Sequence, residues 1–267
     1  MTIELSDNHI QTDLDLILWK YLDLWKFESL LKENAIFFCR IDKFPDDPFE
    51  GSTPAKVKEK RFKDIMALEL FYGNSNISKM HNQNEMISSF QKNVLRKRTV
   101  VNCWHISKDE CNLMWNSYLA NIEKGIVIKT NLTKLIKSFE QTPESIKCWL
   151  THYLDYEKED WLRNYNSFDL FAPFIHKKSG FIKENELRLI YQFSIFEGRK
   201  LDEFWNQQLP IDGILLKLNL NILIEEIYCS PKSNYNQIGE INKFISDCGF
   251  TFKAKESSLS KNSNPLF

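Results

Sequence analysis

Short apolar runs, none long enough to cross a membrane, set the limits of what this chain can fold into. They are ILWKYL (17–22), AIFFCRI (35–41), TVVNCWHIS (99–107), GIVIKT (125–130), NELRLIYQF (185–193), ILLKLNL (214–220) and IEEIYCS (224–230). Their length and their β-branched and aromatic content are those of strands, and a span would need ~20 apolar residues. Helical spacing fills the gaps. FESLLKENA puts Phe27, Leu30 and Leu31 on one face, with Asn34 as a stop. Thr53 followed by Pro54 predicts a helix start, a hydroxyl cap and then proline at the first helical position, with the helix running to about Phe71. Residues 73–84 (GNSNISKMHNQN) read as a loop and 84–97 as a second helix. CNLMWNSYL, NLTKLIKSF and NYNQIGEINKFISDCG read as further helices, the last ending at Gly249. Residues 146–156 read as a strand and 157–178 as a helix interrupted near Pro173. This alternation predicts an α+β (mixed α/β) fold, with a central mixed sheet flanked by helices in a single domain over residues 17–259. Residues 1–16 and 260–267 are expected to be flexible ends.

Composition removes several functional classes. The net charge is −1, so there is no overall pull toward nucleic acid or anionic membrane, and any basic surface must be local. KVKEKRFK (56–63) and KNVLRKR (92–98) are the places for one: either a nucleic-acid contact or solvated helix faces. The six cysteines are scattered and the N-terminus lacks a secretory pattern, which predicts a reduced, cytoplasmic protein. Gly-rich phosphate loops, G-x-S-x-G and H-E-x-x-H are absent, and Cys103-x-His105 is too sparse for a zinc site. No metal and no permanently bound cofactor is expected.

Three constellations remain. In KENELRLIYQF a strand points Glu184, Glu186 and Arg188 one way and Leu187, Leu189 and Tyr191 the other. Two carboxylates that close can couple, and one can stabilise a developing cation. The alternative is a solvated strand face with Arg188 paired to a neighbour. In CWHISKDECNLMWNSY, Trp104, His105, Trp115 and Tyr118 are candidates to line a pocket that stacks a planar ring. The alternative is that the helical stripe of Met114, Trp115 and Tyr118 is core. FPDDPFEGS (44–52) offers Asp47 and Glu50 on a proline-stiffened loop, either an acidic lip beside the same cleft or a self-bonded turn that starts a helix.

Taken together, LWKYLDLWKFESLLKENAIFFCRIDKFPDDPFEGS, CWHISKDECNLMWNSY, GIVIKT, ENELRL, IYCSP and the late SSL resemble a large bacterial domain-of-unknown-function family. Its hallmarks are an (N/G)-D-P-F-E loop and a C-W-H and M-W-x-x-Y block, and Asp46 stands where that family often has Asn or Gly. The resemblance covers about residues 17–259. It implies an antiviral-defence or abortive-infection setting, since such genes often neighbour phage-defence genes. At the level of fold, the order of elements also resembles ADP-ribosyltransferases. That resemblance implies NAD as substrate and Lys20 or Tyr21 as the first-strand contact. It implies Glu186 at the nicotinamide ribose and the developing oxocarbenium charge, Glu184 orienting or deprotonating the acceptor, and Trp104 or Trp115 stacking the nicotinamide. The first-strand His or Arg and the Ser-Thr-Ser strand of that fold have no counterpart here. The rival expectations are a non-catalytic sensor or binding module for a phage product or nucleic acid, and a metal-dependent nuclease built on Asp47 and Glu50.

Overall fold

The computed structural model describes residues 3–5, 14–44, 47, 49–161, 168–193 and 209–263. Among them, ten strands form one mixed sheet flanked by helices, in a single α+β domain. The strands are β1 (Ile3–Leu5), β2 (Ile17–Asp23), β3 (Ala35–Arg40), β4 (Thr99–Ile106), β5 (Gly125–Asn131), β6 (Ile146–Leu150), β9 (Glu186–Gln192), β10 (Gly213–Lys217), β11 (Glu226–Cys229) and β12 (Ala254–Glu256). Two further strands, β7 (His152–Leu154) and β8 (His176–Lys178), pair in parallel as a separate ribbon.

The sheet forks at β4. The start of β4 pairs with β3 through Val100 and Val101, and its end pairs with β2 through His105 and Ile106. One limb continues β2–β5–β11–β12 and the other ends at β10, while the far edge of β4 carries β9, β6 and β1. The helix joining β2 to β3, α1 (Leu24–Glu33), buries Phe27, Leu30 and Leu31, and Asn34 ends it in the left-handed conformation at φ 47°. With α6 (Leu132–Ser138), α7 (Leu220–Leu223) and α8 (Tyr235–Asp247) it covers one face of the sheet over the main core. Strand alternation sends Leu187 and Leu189 into that core and Glu186, Arg188 and Ile190 to the other face.

The opposite face carries two smaller apolar clusters. One gathers Ile41, Leu95, Val101, Phe174, Ile175 and Ile190; the other gathers Trp19, Tyr21, Met114, Trp115 and Val127. The second rests under α5 (Asn112–Ser117). A helical hairpin, α2 (Ala55–Phe71) and α3 (Ile77–Phe90), follows the acidic loop. α3 runs on through a π-helical turn at Gln91–Leu95 into α4 (Arg96–Arg98).

Several sequence expectations change. Residues 1–16 are not all outside the domain: Ile3 is fully buried and pairs with Ile146. The tail begins later than residue 260, because Ser258–Ser263 forms a 3-10 turn. Thr53 does not cap α2; its hydroxyl donates to Gln91 instead. Residues 77–84 are helix, not loop, capped by the Asn76 side chain at the Lys79 amide. The expected strand over 146–156 is broken at Thr151 into β6 and β7. The helix expected over 157–178 gives way to turns, a 3-10 turn at Ala172–Phe174 and β8; its residues 162–167 lie outside the described residues.

The late Ser-Ser pair has a structural job. Buried Glu110, just before α5, accepts from Trp115 Nε1 (2.8 Å), from the Ser258 amide and hydroxyl (2.8 Å each) and from the Ser257 hydroxyl. Glu110→Ala would strand the indole N–H of a fully buried tryptophan and release the C-terminal turn. It is expected to lower stability by about 2 kcal/mol, read by urea denaturation, with faster amide exchange over residues 257–260.

Candidate functional site

Five charged side chains from two stretches of chain, Glu50 and residues 177–188, meet on the open face of the sheet, between the two smaller clusters. Glu186 and Arg188 come from β9, and Glu50 from the acidic loop. Glu184 ends the 3-10 turn Ser179–Glu184, and Lys177 lies in β8. Asn185, left-handed at φ 40°, separates Glu184 from the strand, so the pair does not lie on one regular strand as expected. The turn nonetheless returns the Glu184 carboxyl to its neighbour.

Arg188 is 1% exposed. Its Nε and Nη2 donate to Glu186 Oε2 at 3.0 and 2.9 Å, and Nη1 donates to the Phe174 carbonyl at 2.9 Å. Nη1 also lies 2.7 Å from Glu50 Oε1, an ion contact outside hydrogen-bond geometry. Lys177 donates to Glu184 Oε2 at 2.5 Å and stands 3.6 Å from both Glu50 and Glu186. The Tyr118 hydroxyl lies 2.8 Å from Glu184 Oε2 and 2.9 Å from Glu186 Oε1. Behind the pair, the Glu186 amide donates to the Tyr153 hydroxyl at 3.0 Å. His105 Nδ1–H donates to the Glu184 carbonyl at 2.6 Å, which leaves Nε2 as the ring's acceptor.

The arrangement dictates an uneven proton distribution. Three carboxylates face two cations, so full ionisation would leave one excess negative charge in a largely buried cluster. Tyr118 also brings one hydroxyl proton to two carboxylate oxygens, so both contacts are hydrogen bonds only if a carboxyl carries a proton of its own. Glu184 is the group that takes it. Burial first, then the charge of Glu186, raise it to about 7, against the pull of Lys177. Burial acts upward on Glu186 as well, but Arg188 and Lys177 outweigh it and hold Glu186 well below the usual carboxylate range. Two adjacent carboxyls with proton affinities pushed apart are the arrangement that divides acid and base roles.

Access also differs between them. The Glu184 side chain is 16% exposed, whereas Glu186 is 3% exposed beneath the Tyr118 hydroxyl. Tyr118 itself is 37% exposed and forms the rim. Phe49, 51% exposed, forms another part of the surface there, with Lys178 Nζ 3.8 Å from its ring centroid. The acidic loop is held to the cluster by Glu50, and by Gly51 at φ 69°, where a Cβ would press on Ile41 and Phe174. Asp47, 3% exposed, accepts from the Phe49 amide at 2.9 Å, while its Oδ2 has no hydrogen-bond partner among the described residues. Pro45, Asp46 and Pro48 lie outside the described residues.

Of the residues expected to converge, Glu50, Glu184, Glu186, Arg188, Tyr118 and His105 do. Tyr21 stands one ring further off: its centroid is 6.3 Å from His105 and its hydroxyl accepts from the Cys111 amide. The tryptophans do not line the site. Trp104, between Cys103 and His105 on a strand, faces the main core and is 1% exposed. Trp115 is fully buried against Tyr21, 5.1 Å between centroids. Lys20 donates to the Cys103 carbonyl at 2.6 Å and sits 5.9 Å from the Trp104 ring, so it holds the sheet rather than the cluster.

Sequence reading missed Lys177 and Tyr153. Both belong to the short β7–β8 ribbon, and three-residue strands leave no periodicity to detect. No family model and no curated protein matches the chain. Among the described residues no helix is long and apolar enough to cross a membrane.

Proposed function

We propose that the chain is an NAD-using, ADP-ribosyltransferase-like enzyme of the bacterial family it resembles, acting as an effector or accessory protein in antiviral defence. One observation carries the reading: two carboxyl groups meet under a single tyrosine hydroxyl, with unequal proton affinities and unequal access. In the reaction, the bond between nicotinamide and ribose C1′ breaks and nicotinamide leaves with the electron pair. Positive charge builds on C1′ and the ring oxygen, where an adjacent carboxylate lowers the barrier. A bond then forms from C1′ to an acceptor oxygen or nitrogen, and the acceptor proton passes to a base. Glu184, at the rim, is the base and the nearer negative charge. Glu186, one layer below, sets the proton affinity of Glu184. Tyr118, rather than either tryptophan, is the ring available to a planar ligand.

The test is to incubate the protein with NAD labelled in its adenylate, together with cell lysate and nucleic acid. Release of nicotinamide and transfer of label to a macromolecule are expected. A second reading, a binding module that senses a phage product, is favoured by the burial and mutual ion pairing of Glu50, Arg188 and Glu186 and by the sealed tryptophans. Neither nicotinamide release nor label transfer with any acceptor would remove the enzyme and leave that module.

A further inference from the structure

The α2–α3 hairpin and its continuation through α4 carry a charge unlike the rest of the chain: the hairpin alone has six basic and four acidic residues, and Lys92, Arg96, Lys97 and Arg98 add to it. Residues 55–98 hold ten lysines and arginines against four acidic residues, a net +6, so the other residues sum to −7 in a chain of −1. α2, about 25 Å long at 1.5 Å per residue, leads away from the loop that supplies Glu50. Only Val57, Arg61 and Ile65 of α2 are buried. Arg61 is fully buried yet its hydrogen bonds go to neutral acceptors, Asn84 (2.7 Å), Ser88 (2.6 Å) and Gln91 (3.2 Å), with Glu85 acting on it only through space. Lys58, Lys92 and Lys97 are exposed and outside the ion pairs found among the described residues.

The tip adds rings and a hollow. Phe71 is 82% and Tyr72 79% exposed, with ring centroids 5.3 Å apart. On the adjoining face of α3 lies a depression of about 320 Å³, lined by Asn76, Ser78, Lys79, Asn82, Gln83 and Met86. Amides and a hydroxyl offer the donors and acceptors that base edges require, and Met86 offers an apolar wall. Glu69 beside it is paired with Lys79 at 3.4 Å and accepts from Gln83 at 3.0 Å, and Glu85 is exposed on α3 next to Met86. A membrane surface would not use a hollow lined with amides, and an apolar protein partner would not use the charge.

We infer that this hairpin is a binding surface for single-stranded nucleic acid: lysines track the backbone, Phe71 and Tyr72 stack bases, and the amide-lined hollow takes a base edge. The inference is independent of the acidic site. It is tested with the full chain and fluorescein-labelled oligo(dT)20, by anisotropy across a salt series, beside a 20-base-pair duplex and phosphatidylserine vesicles. Binding to oligo(dT)20 stronger than to duplex is expected. The Lys58→Glu/Lys92→Glu/Lys97→Glu variant should make the slope of log K against log salt shallower by about 2. Phe71→Ala/Tyr72→Ala should weaken binding about tenfold or more at an unchanged salt slope. All these side chains are exposed, and an unchanged melting temperature confirms folding. No binding at low salt, binding unaffected by either variant, or capture by vesicles but not by oligo(dT)20, each overturns it.

Discussion

Arg188→Ala is expected to lower the free energy of unfolding by about 4 kcal/mol, the range found when one partner of a buried ion cluster is deleted. The expectation follows from what the guanidinium leaves behind. Glu186 loses two hydrogen bonds, Glu50 loses its 2.7 Å contact, the Phe174 carbonyl loses its donor, and Lys177 alone faces three carboxyls. In a domain whose total stability is on the order of 5–15 kcal/mol, such a loss brings it near its folding threshold. The pH dependence has a definite sign. Glu186 has its folded proton affinity depressed, so its contribution is present above its unfolded value and is lost as pH falls through the folded one. The deficit of Arg188→Ala is therefore largest near neutrality and shrinks in acid, where the stranded carboxyls take up protons. Urea denaturation at pH 7.5 and pH 5 reads both effects. A loss below about 1 kcal/mol at pH 7.5 would mean that the cluster is not the buried network described.

The second large effect concerns activity. Glu184→Gln is expected to reduce the rate of ADP-ribosyl transfer from NAD about a thousandfold, within the range attributed to a positioned general base. In the native protein kcat should rise with pH through about 7 as Glu184 ionises. Stability runs the other way. The folded proton affinity of Glu184 is raised, so its contribution is complete below the unfolded value and is lost as pH rises through about 7. Glu186→Gln separates positioning from catalysis. It removes the neighbouring charge that raises Glu184, so the rising limb should move to lower pH while much of the maximal rate survives. A Glu186→Gln enzyme with an unmoved limb and no activity would instead place Glu186 at the substrate.

The parity of β9 was legible because Glu186-Leu187-Arg188-Leu189 alternates polar and apolar; all of Glu186–Ile190 is buried, but Leu187 and Leu189 enter the main core while Ile190 joins the cluster on the other face. The same rule explains the tryptophan error: Trp104 and His105 are consecutive in β4 and face opposite sides of the sheet. Trp115 was ambiguous because a helical stripe reads alike as core or as pocket. The role of the acidic loop was legible in Glu50, whose chemistry has no use in a plain turn. Glu184 reached the site by a turn, not by the strand expected, since Asn185 adopts a left-handed conformation that no periodicity announces. Lys177 and Tyr153 were hidden because their strands are too short to show a period, and the Tyr153 partner, Glu186, lies 33 residues on. The polar start of α3 was misread as loop because its helix is fixed by the Asn76 cap and by packing on α2, not by an apolar stripe.

The central claim is that the two neighbouring carboxyls differ in proton affinity, and titration of 13C-labelled glutamate carboxyls by NMR tests it most directly. One resonance should titrate near pH 7 and vanish in Glu184→Gln, while another, missing in Glu186→Gln, stays ionised where free glutamate is already protonated. Both carboxyls titrating together in the ordinary glutamate range would contradict it.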